Sequence, residues 1–221
     1  MRGLKRRRFL RISTVSGLSL LVPVRVAGAT AVASLPGGTL DPATIDKYVT
    51  PLAIPPAMPA TRTRGAFDYY EIAVRQFRQQ ILPKGLPSTT VWGYGSAGHP
   101  CTFSYPACTI EARYRRAVRV KWINDLIDGN GDFLPHLLPI DQTLHWANPP
   151  AGEQDRDSRG IDSAPYQGPV QIVTHVHGNH TFDYSDGHPE AWYLPNARDI
   201  PAGFARTGTF YDIFEGQLTA G

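Results

Sequence analysis

The clearest β-strand in the sequence is the stretch Val118-Arg-Val-Lys-Trp-Ile-Asn124. Its apolar residues Val118, Val120 and Trp122 alternate with basic residues. Successive side chains of a strand point to opposite faces, so this pattern predicts a strand with one buried and one exposed face.

Similar patterns lie on both sides of this strand. Alternation or short apolar runs occur in four further segments, residues 68–77, 91–94, 109–114 and 170–177. Turns rich in proline and glycine separate them, and no stretch after residue 33 shows the 3.6-residue period of a helix of ordinary length. Several short strands joined by long turns predict an all-β fold, an antiparallel sandwich or barrel. The polar excursion 147–168 is expected to lie on the surface.

The overall charge depends on the N-terminal leader. The 221 residues carry a formal net charge of +3, but seven of the 22 basic residues and none of the 19 acids lie in residues 1–33. The remainder holds 15 basic and 19 acidic residues, a net charge of −4. Nucleic-acid binding requires a basic surface on the folded domain, so we expect no nucleic-acid partner.

The leader has the features of an export signal. Lys5-Arg-Arg-Arg-Phe-Leu-Arg11 resembles a twin-arginine signal, and small residues near its end offer cleavage sites. Pro23 and Arg25 interrupt the apolar segment before it reaches the roughly 20 residues that a membrane span needs. We therefore expect residues 1–33 to be a signal peptide, without a stable membrane anchor, and the protein to be periplasmic or secreted. Residues 34–66 are expected to form an extended arm.

Cys101 and Cys108 are the only cysteines of the chain. In an oxidising compartment, a disulfide that closes this short loop is expected. A zinc site that includes His99 is the weaker interpretation, because no second Cys/His pair accompanies it.

Asp128-Gly-Asn-Gly-Asp132 is similar to the start of a calcium-binding loop. Phe133 occupies the position where that loop needs glycine, and Pro139 the position of its final glutamate. A turn is the better interpretation.

Two histidines follow the apolar run 170–173. If this strand continues, His175 and His177 share one face and lie about 6.6 to 7 Å apart. Imidazole is a ligand for copper, zinc, iron and nickel, and Asp183, Asp186 and Glu190 follow closely in the sequence. The pattern predicts a metal site; the alternative is two polar residues on an exposed edge strand.

One resemblance favours a hydrolase. Thr174-His-Val-His-Gly-Asn-His180 has the spacing of the T-H-x-H-x-D-H motif of metal-dependent hydrolases of the metallo-β-lactamase fold. Asn179 replaces the aspartate that would bind the second zinc, and no histidine follows His188. Such a site would lack ligands.

A second resemblance covers more of the chain. His175-Val-His-Gly178, followed by Ser185-Asp-Gly-His-Pro-Glu-Ala-Trp192, resembles the first copper-binding motif of multicopper oxidases, in particular the bacterial laccase-like and bilirubin-oxidase-like members. It extends upstream to about residue 40 through residues 44–49, 52–55, 68–71, 92–94, 105–106, 109–112, 118–124 and 137–141.

This resemblance implies the first cupredoxin domain, a Greek-key β-sandwich over residues 67–221, with copper as cofactor. His175 would correspond to a ligand of the type 2 copper and His177 to a ligand of the type 3 pair, where dioxygen is reduced to water. Asp186 would correspond to an acid that handles protons near that cluster, since this reduction consumes protons. A simple turn aspartate before Gly187 is the alternative.

The family pattern continues beyond the motifs present here. A second His-x-His pair, in a Trp-Tyr-His-Asp-His-like strand, and further cupredoxin domains would complete the trinuclear site. We therefore expect a partial domain, incomplete at its C-terminal strands, that is inactive alone. The intact enzyme would use dioxygen and a reducing substrate such as phenols, pigments or metal ions. A non-catalytic, exported copper-binding cupredoxin module is the alternative.

Overall fold

A computed structural model of the chain describes residues 40–140, 147–158 and 166–213, all within one compact unit that begins at Leu40. Its four strands are β1 (Arg62–Arg64), β2 (Phe67–Gln79), β3 (Thr89–Ser96) and β4 (Ala117–Asn124). Short helical elements are also described, namely the α-helix α1 (Gly152–Asp155) and 3-10 turns at Pro42–Thr44, Pro100–Thr102, Pro149–Ala151 and Asp183–Ser185. Among the described residues, no helix combines the length and apolar character needed to cross a membrane.

β2 is the central strand of the sheet. It pairs antiparallel with β1 and with β3, and parallel with β4. Tyr70, Ile72 and Val74 alternate along β2 and are all buried, as the sequence pattern predicts. The half-buried Val118, Val120 and Trp122 of β4 pack against this core. The described residues therefore confirm an all-β, cupredoxin-like fold, although one strand pair is parallel rather than antiparallel.

Glycines in β3 allow a close approach to the sheet. A Cβ atom at Gly95 would lie 2.6 Å from the ring of Phe103, and one at Gly93 would lie 2.5 Å from the carbonyl oxygen of Ser104. Both distances are too short for real contacts, so the loop after the Pro100–Thr102 turn lies flat on β3 because these positions lack side chains.

Three predicted strands are confirmed and two are not. Residues 68–77, 91–94 and 118–124 lie in β2, β3 and β4. Residues 109–114 form only one bridge, between Ala57 and Thr109, because most of the segment is exposed and has no neighbouring strand. Residues 170–177 likewise form only the bridge Ile172–Tyr193, and a side chain rather than a strand binds the carbonyl of Val170.

Two local expectations have opposite outcomes. The turn at residues 128–132 is confirmed, since the carboxylate of Asp128 accepts hydrogen bonds from the backbone N–H groups of Asn130 and Asp132. The expected disulfide is not formed: Cys101 is exposed, whereas Cys108 is buried and its thiol contacts the carbonyl oxygen of Thr102 at 3.5 Å.

Several predictions fall on other parts of the chain. The signal peptide, residues 1–33, lies outside the described residues, as do residues 214–221. The arm proposed for residues 34–66 is described from Leu40 onward. Its Met58 is buried against β2, while Leu52 and Ile54 are exposed.

Candidate metal centre

The two predicted ligands lie just beyond the bridge between Ile172 and Tyr193. The rings of His175 and His177 are 6.0 Å apart between centroids, inclined at 67°, and both residues are exposed. The structure therefore brings the two imidazoles together although the segment is not part of a regular strand.

The backbone orients the ring of His175. Its Nδ1 lies 3.2 Å from the carbonyl oxygen of Val173. A carbonyl oxygen can only accept, so Nδ1 carries the hydrogen and the neutral ring keeps its lone pair on Nε2. Histidines that bind metals generally donate their other N–H group in this way. His175 is thus held in the tautomer that a metal ligand needs.

Gly187 forms one wall of this site. A Cβ atom there would lie 2.7 Å from Cε1 of His175 and 2.8 Å from its Nε2, and the residue has a φ of +79°. A glycine is therefore required both for the turn and for the close approach of the imidazole. No sequence pattern singled out this contact.

Asp186 directly precedes Gly187. It is exposed and ends the 3-10 turn Asp183–Ser185, where its N–H donates to the carbonyl of Asp183. Within the part of the chain that the structure describes, its carboxylate makes no hydrogen bond to either histidine. Its proposed role in proton transfer stays a prediction.

The other two histidines of this region, His180 and His188, differ in exposure. His180 is exposed, and its N–H donates to the side-chain oxygen of Asn179. His188 is half-buried, since its ring stacks on Phe210 at 3.8 Å and its Nδ1 accepts the N–H of Glu190. Across residues 40–140, 147–158 and 166–213, no three His, Cys, Asp or Glu side chains are close enough to hold a metal together.

Asn124 positions the segment that carries the histidines. Its side-chain Nδ2 donates to the carbonyl oxygens of Val170 (2.8 Å) and Tyr193 (3.2 Å). One amide at the end of β4 therefore ties the sheet to both chain segments of the site. The sequence gives one indication of this role, because Asn124 is a polar residue at the end of the alternating strand 118–124.

Tyr193 supports the segment from a second side. Its hydroxyl lies 2.8 Å from Oγ1 of Thr174, next to His175 in the sequence. Burial raises the pKa of Tyr193 to about 12, so the phenol stays protonated and neutral beside the candidate ligands.

Trp192 anchors the end of the segment 185–192, which follows the two histidines in the sequence. It is fully buried, and its indole N–H donates to Oδ1 of Asp157 at 2.6 Å, while Oδ2 accepts the N–H of Thr209 at 2.8 Å. The excursion 147–168 was expected on the surface, but it supplies this carboxylate and the buried Pro149 and Arg156. Asp157 therefore supports the site, because the N–H group of the buried Trp192 indole needs a hydrogen-bond acceptor.

The two imidazoles fit copper in their chemistry. Copper, like zinc, iron and nickel, accepts imidazole nitrogen, and the hydrogen bond of His175 to Val173 uses Nδ1 and leaves Nε2 for a metal. Two ligands are fewer than a complete site needs, so any metal held here requires further donors.

Comparisons with known proteins identify relatives that match most of the chain. The chain is 32% identical to a laccase of Bacillus subtilis over 168 residues, which is 76% of this chain and 26% of the relative. It is 32% identical to a laccase of Haloferax volcanii over 196 residues, 89% of this chain and 29% of the relative. A plant protein, Multicopper oxidase LPR1 homolog 3 of Oryza sativa subsp. japonica, is 33% identical over 114 residues, 52% of this chain.

The chain thus matches between 26% and 29% of the length of these two laccases. No family model matches it. The agreement with several laccases over most of the chain, together with the all-β fold and the paired imidazoles, shows that this chain belongs to the multicopper oxidase family.

Proposed function

We propose that this chain is the N-terminal part of a laccase-like multicopper oxidase in which His175 and His177 bind copper. The observation that carries the proposal is the geometry of His175, whose Nδ1 is occupied by the Val173 carbonyl and whose Nε2 is free, in a chain related to laccases. Bound copper would supply the redox chemistry that couples one-electron oxidation of phenols, pigments or metal ions to the reduction of dioxygen to water.

The residues around the histidines have distinct proposed roles. Gly187 leaves room for the ring of His175, and Asn124 fixes the distance of the segment from the sheet. Asp186 would relay protons, because reduction of dioxygen consumes them. Its exposure and its position beside Gly187 support this role.

Further cupredoxin domains would supply the remaining copper ligands. Two histidines do not complete a metal site, and the chain corresponds to less than a third of the laccases it matches. We also propose export by the twin-arginine route to the periplasm or medium, on the basis of the leader sequence.

Copper titration of the purified chain, followed by electron paramagnetic resonance, tests the ligand assignment. We expect Cu(II) to bind with nitrogen ligation, and His175→Ala or His177→Ala to weaken copper binding at least about tenfold. Loss of a residue that only supports a metal ligand already lowers metal affinity roughly 10–100-fold, and loss of the ligand itself should cost at least as much. His99→Ala, a change at an exposed histidine that follows β3, is the control. Unchanged affinity in both ligand variants would contradict the proposal.

His180→Ala separates the oxidase from the hydrolase hypothesis. The hydrolase motif uses His180 as a ligand, whereas the laccase-like motif does not. We expect His180→Ala to leave copper affinity unchanged. Equal losses for His175→Ala and His180→Ala, with zinc retained in preference to copper and an ester cleaved, would favour the hydrolase.

Oxygen uptake with a phenol measures whether the chain acts alone. We expect no copper-dependent uptake by the 221-residue chain, because the coupled coppers need ligands from another domain. Turnover by the chain alone would refute this part of the proposal. Retained copper without turnover is also what a non-catalytic copper-binding module would give, so sequencing the gene beyond the codon for Gly221 distinguishes that module from an oxidase.

A further inference from the structure

The outer face of the sheet carries two arginines on an aromatic floor. Tyr69 of β2 is paired with Arg62 of β1 and with Arg119 of β4. A strand residue has one neighbour across each edge, so the arginines lie on either side of Tyr69, with Cα atoms about 10 Å apart. Phe67 precedes Tyr69 by two residues and shares its face. We call these four residues the two-arginine platform.

Both guanidinium groups lie over aromatic rings. The Cζ atom of Arg119 is 4.7 Å from the centre of the Phe67 ring, and that of Arg62 is 5.6 Å from the centre of the Tyr69 ring. Such stacking holds a guanidinium by its face and leaves its N–H edge free to donate.

Neither arginine forms an ion pair with any residue that the structure describes. Arg75 and Arg116, by contrast, each bind a carboxylate, Asp125 and Asp68 respectively. The platform therefore holds two positive charges that are aligned but not neutralised by an ion pair.

Glu71 is the nearest acidic residue of β2 on the face that carries Phe67 and Tyr69. It accepts the hydroxyl hydrogen of Tyr69 at 3.0 Å and is paired across the strands with Lys121. The phenol oxygen is therefore turned toward Glu71, and the acid has its own cation opposite. This arrangement directs an anion toward the Phe67 side of the platform, away from Glu71.

We propose that the two-arginine platform binds a planar aromatic carboxylate. The four residues line a groove of about 370 Å³, within the size range of small-molecule sites. A carboxylate can accept two parallel hydrogen bonds from one guanidinium, and an aromatic ring can stack on the outer face of the other guanidinium, the face turned away from Phe67 or Tyr69. The site shares no residue with the candidate copper ligands and does not depend on copper.

Equilibrium dialysis of the 221-residue chain with naphthoate at low salt tests this site. We expect saturable binding that weakens about tenfold for each arginine replaced in Arg62→Gln and Arg119→Gln, since a charged hydrogen bond of about 1.4 kcal/mol corresponds to tenfold in affinity. Arg115→Gln is the matched control, because Arg115 also lies over a ring, that of Tyr114 at 5.3 Å, but outside the platform. Circular dichroism establishes that each variant is folded.

Two further probes, one neutral and one non-aromatic, test which features of the ligand the platform recognises. Naphthalene methanol lacks the charge and cyclohexanecarboxylate lacks the flat ring, so both are expected to bind at least about tenfold more weakly than naphthoate. Absence of saturable naphthoate binding would overturn the proposal. So would wild-type affinity for naphthoate in the folded Arg62→Gln and Arg119→Gln variants, or an affinity for the neutral alcohol equal to that for naphthoate.

Discussion

The sheet and the histidine-bearing region are stabilised in different ways. In the sheet, β2 forms continuous ladders with β3 and β4, each eight residue pairs long. In residues 166–213, isolated bridges at Ile172–Tyr193 and Tyr193–Thr207 replace ladders, and single side chains such as Asn124 and Asp157 make the connections. A ladder distributes stability over many bonds, whereas the histidine-bearing region depends on a few groups that can each be removed.

Trp192→Ala should produce the largest difference between the two regions. It removes a fully buried indole and leaves Oδ1 of Asp157 without the indole donor, so we expect a loss of about 3–5 kcal/mol in the free energy of unfolding. Hydrogen exchange should show faster opening at residues 170–177 than in β2. Ile72→Ala, in the sheet core, is the comparison, and equal loss of protection in β2 for both variants would contradict the distinction.

Gly187→Ala should affect the metal centre more than the fold. The new Cβ would meet the ring of His175 at 2.7 Å, so we expect copper affinity to fall about tenfold or more. Gly85→Ala is the matched control, because Gly85 has a φ of +99° with open space around its Cβ position. Both changes strain the backbone, by about 1–3 kcal/mol. Copper affinity reduced equally in both variants would mean that strain, not contact with His175, is responsible.

Asp68→Asn should have a smaller effect, confined to the sheet, that is present near neutral pH and disappears in acid. Hydrogen bonds from Arg116 to the carboxylate lower the pKa of Asp68. Its stabilising contribution is therefore present above the unfolded pKa of about 3.9 and is lost as pH falls through the lower folded value. Urea midpoints measured from neutral pH to below pH 4 should fall less steeply in the variant. Asp46→Asn, at an exposed position, should retain the wild-type slope.

The sequence predicts the sheet better than the site. Alternation in residues 68–77 and 118–124 identifies β2 and β4 because one face of each is buried against a core. The same alternation in residues 109–114 and 170–177 is misleading, since those segments have no ladder partner in the structure. The pairing of His175 with His177 follows from their spacing. The Gly187 contact and the Asp157–Trp192 hydrogen bond join segments distant in the chain, and local patterns carry no information about them.

The amide of Asn124 has a consequence for the order of folding. Its two hydrogen bonds span 46 and 69 residues of chain, whereas β2 and β3 are joined by the short connection 80–88. Closing a long loop costs more chain entropy than closing a short one, so contacts of high sequence separation form late. The β2–β3 hairpin should therefore form before residues 170–193 dock on β4. The candidate ligands would then reach their final positions only in the last step of folding, after the sheet that supports them is complete.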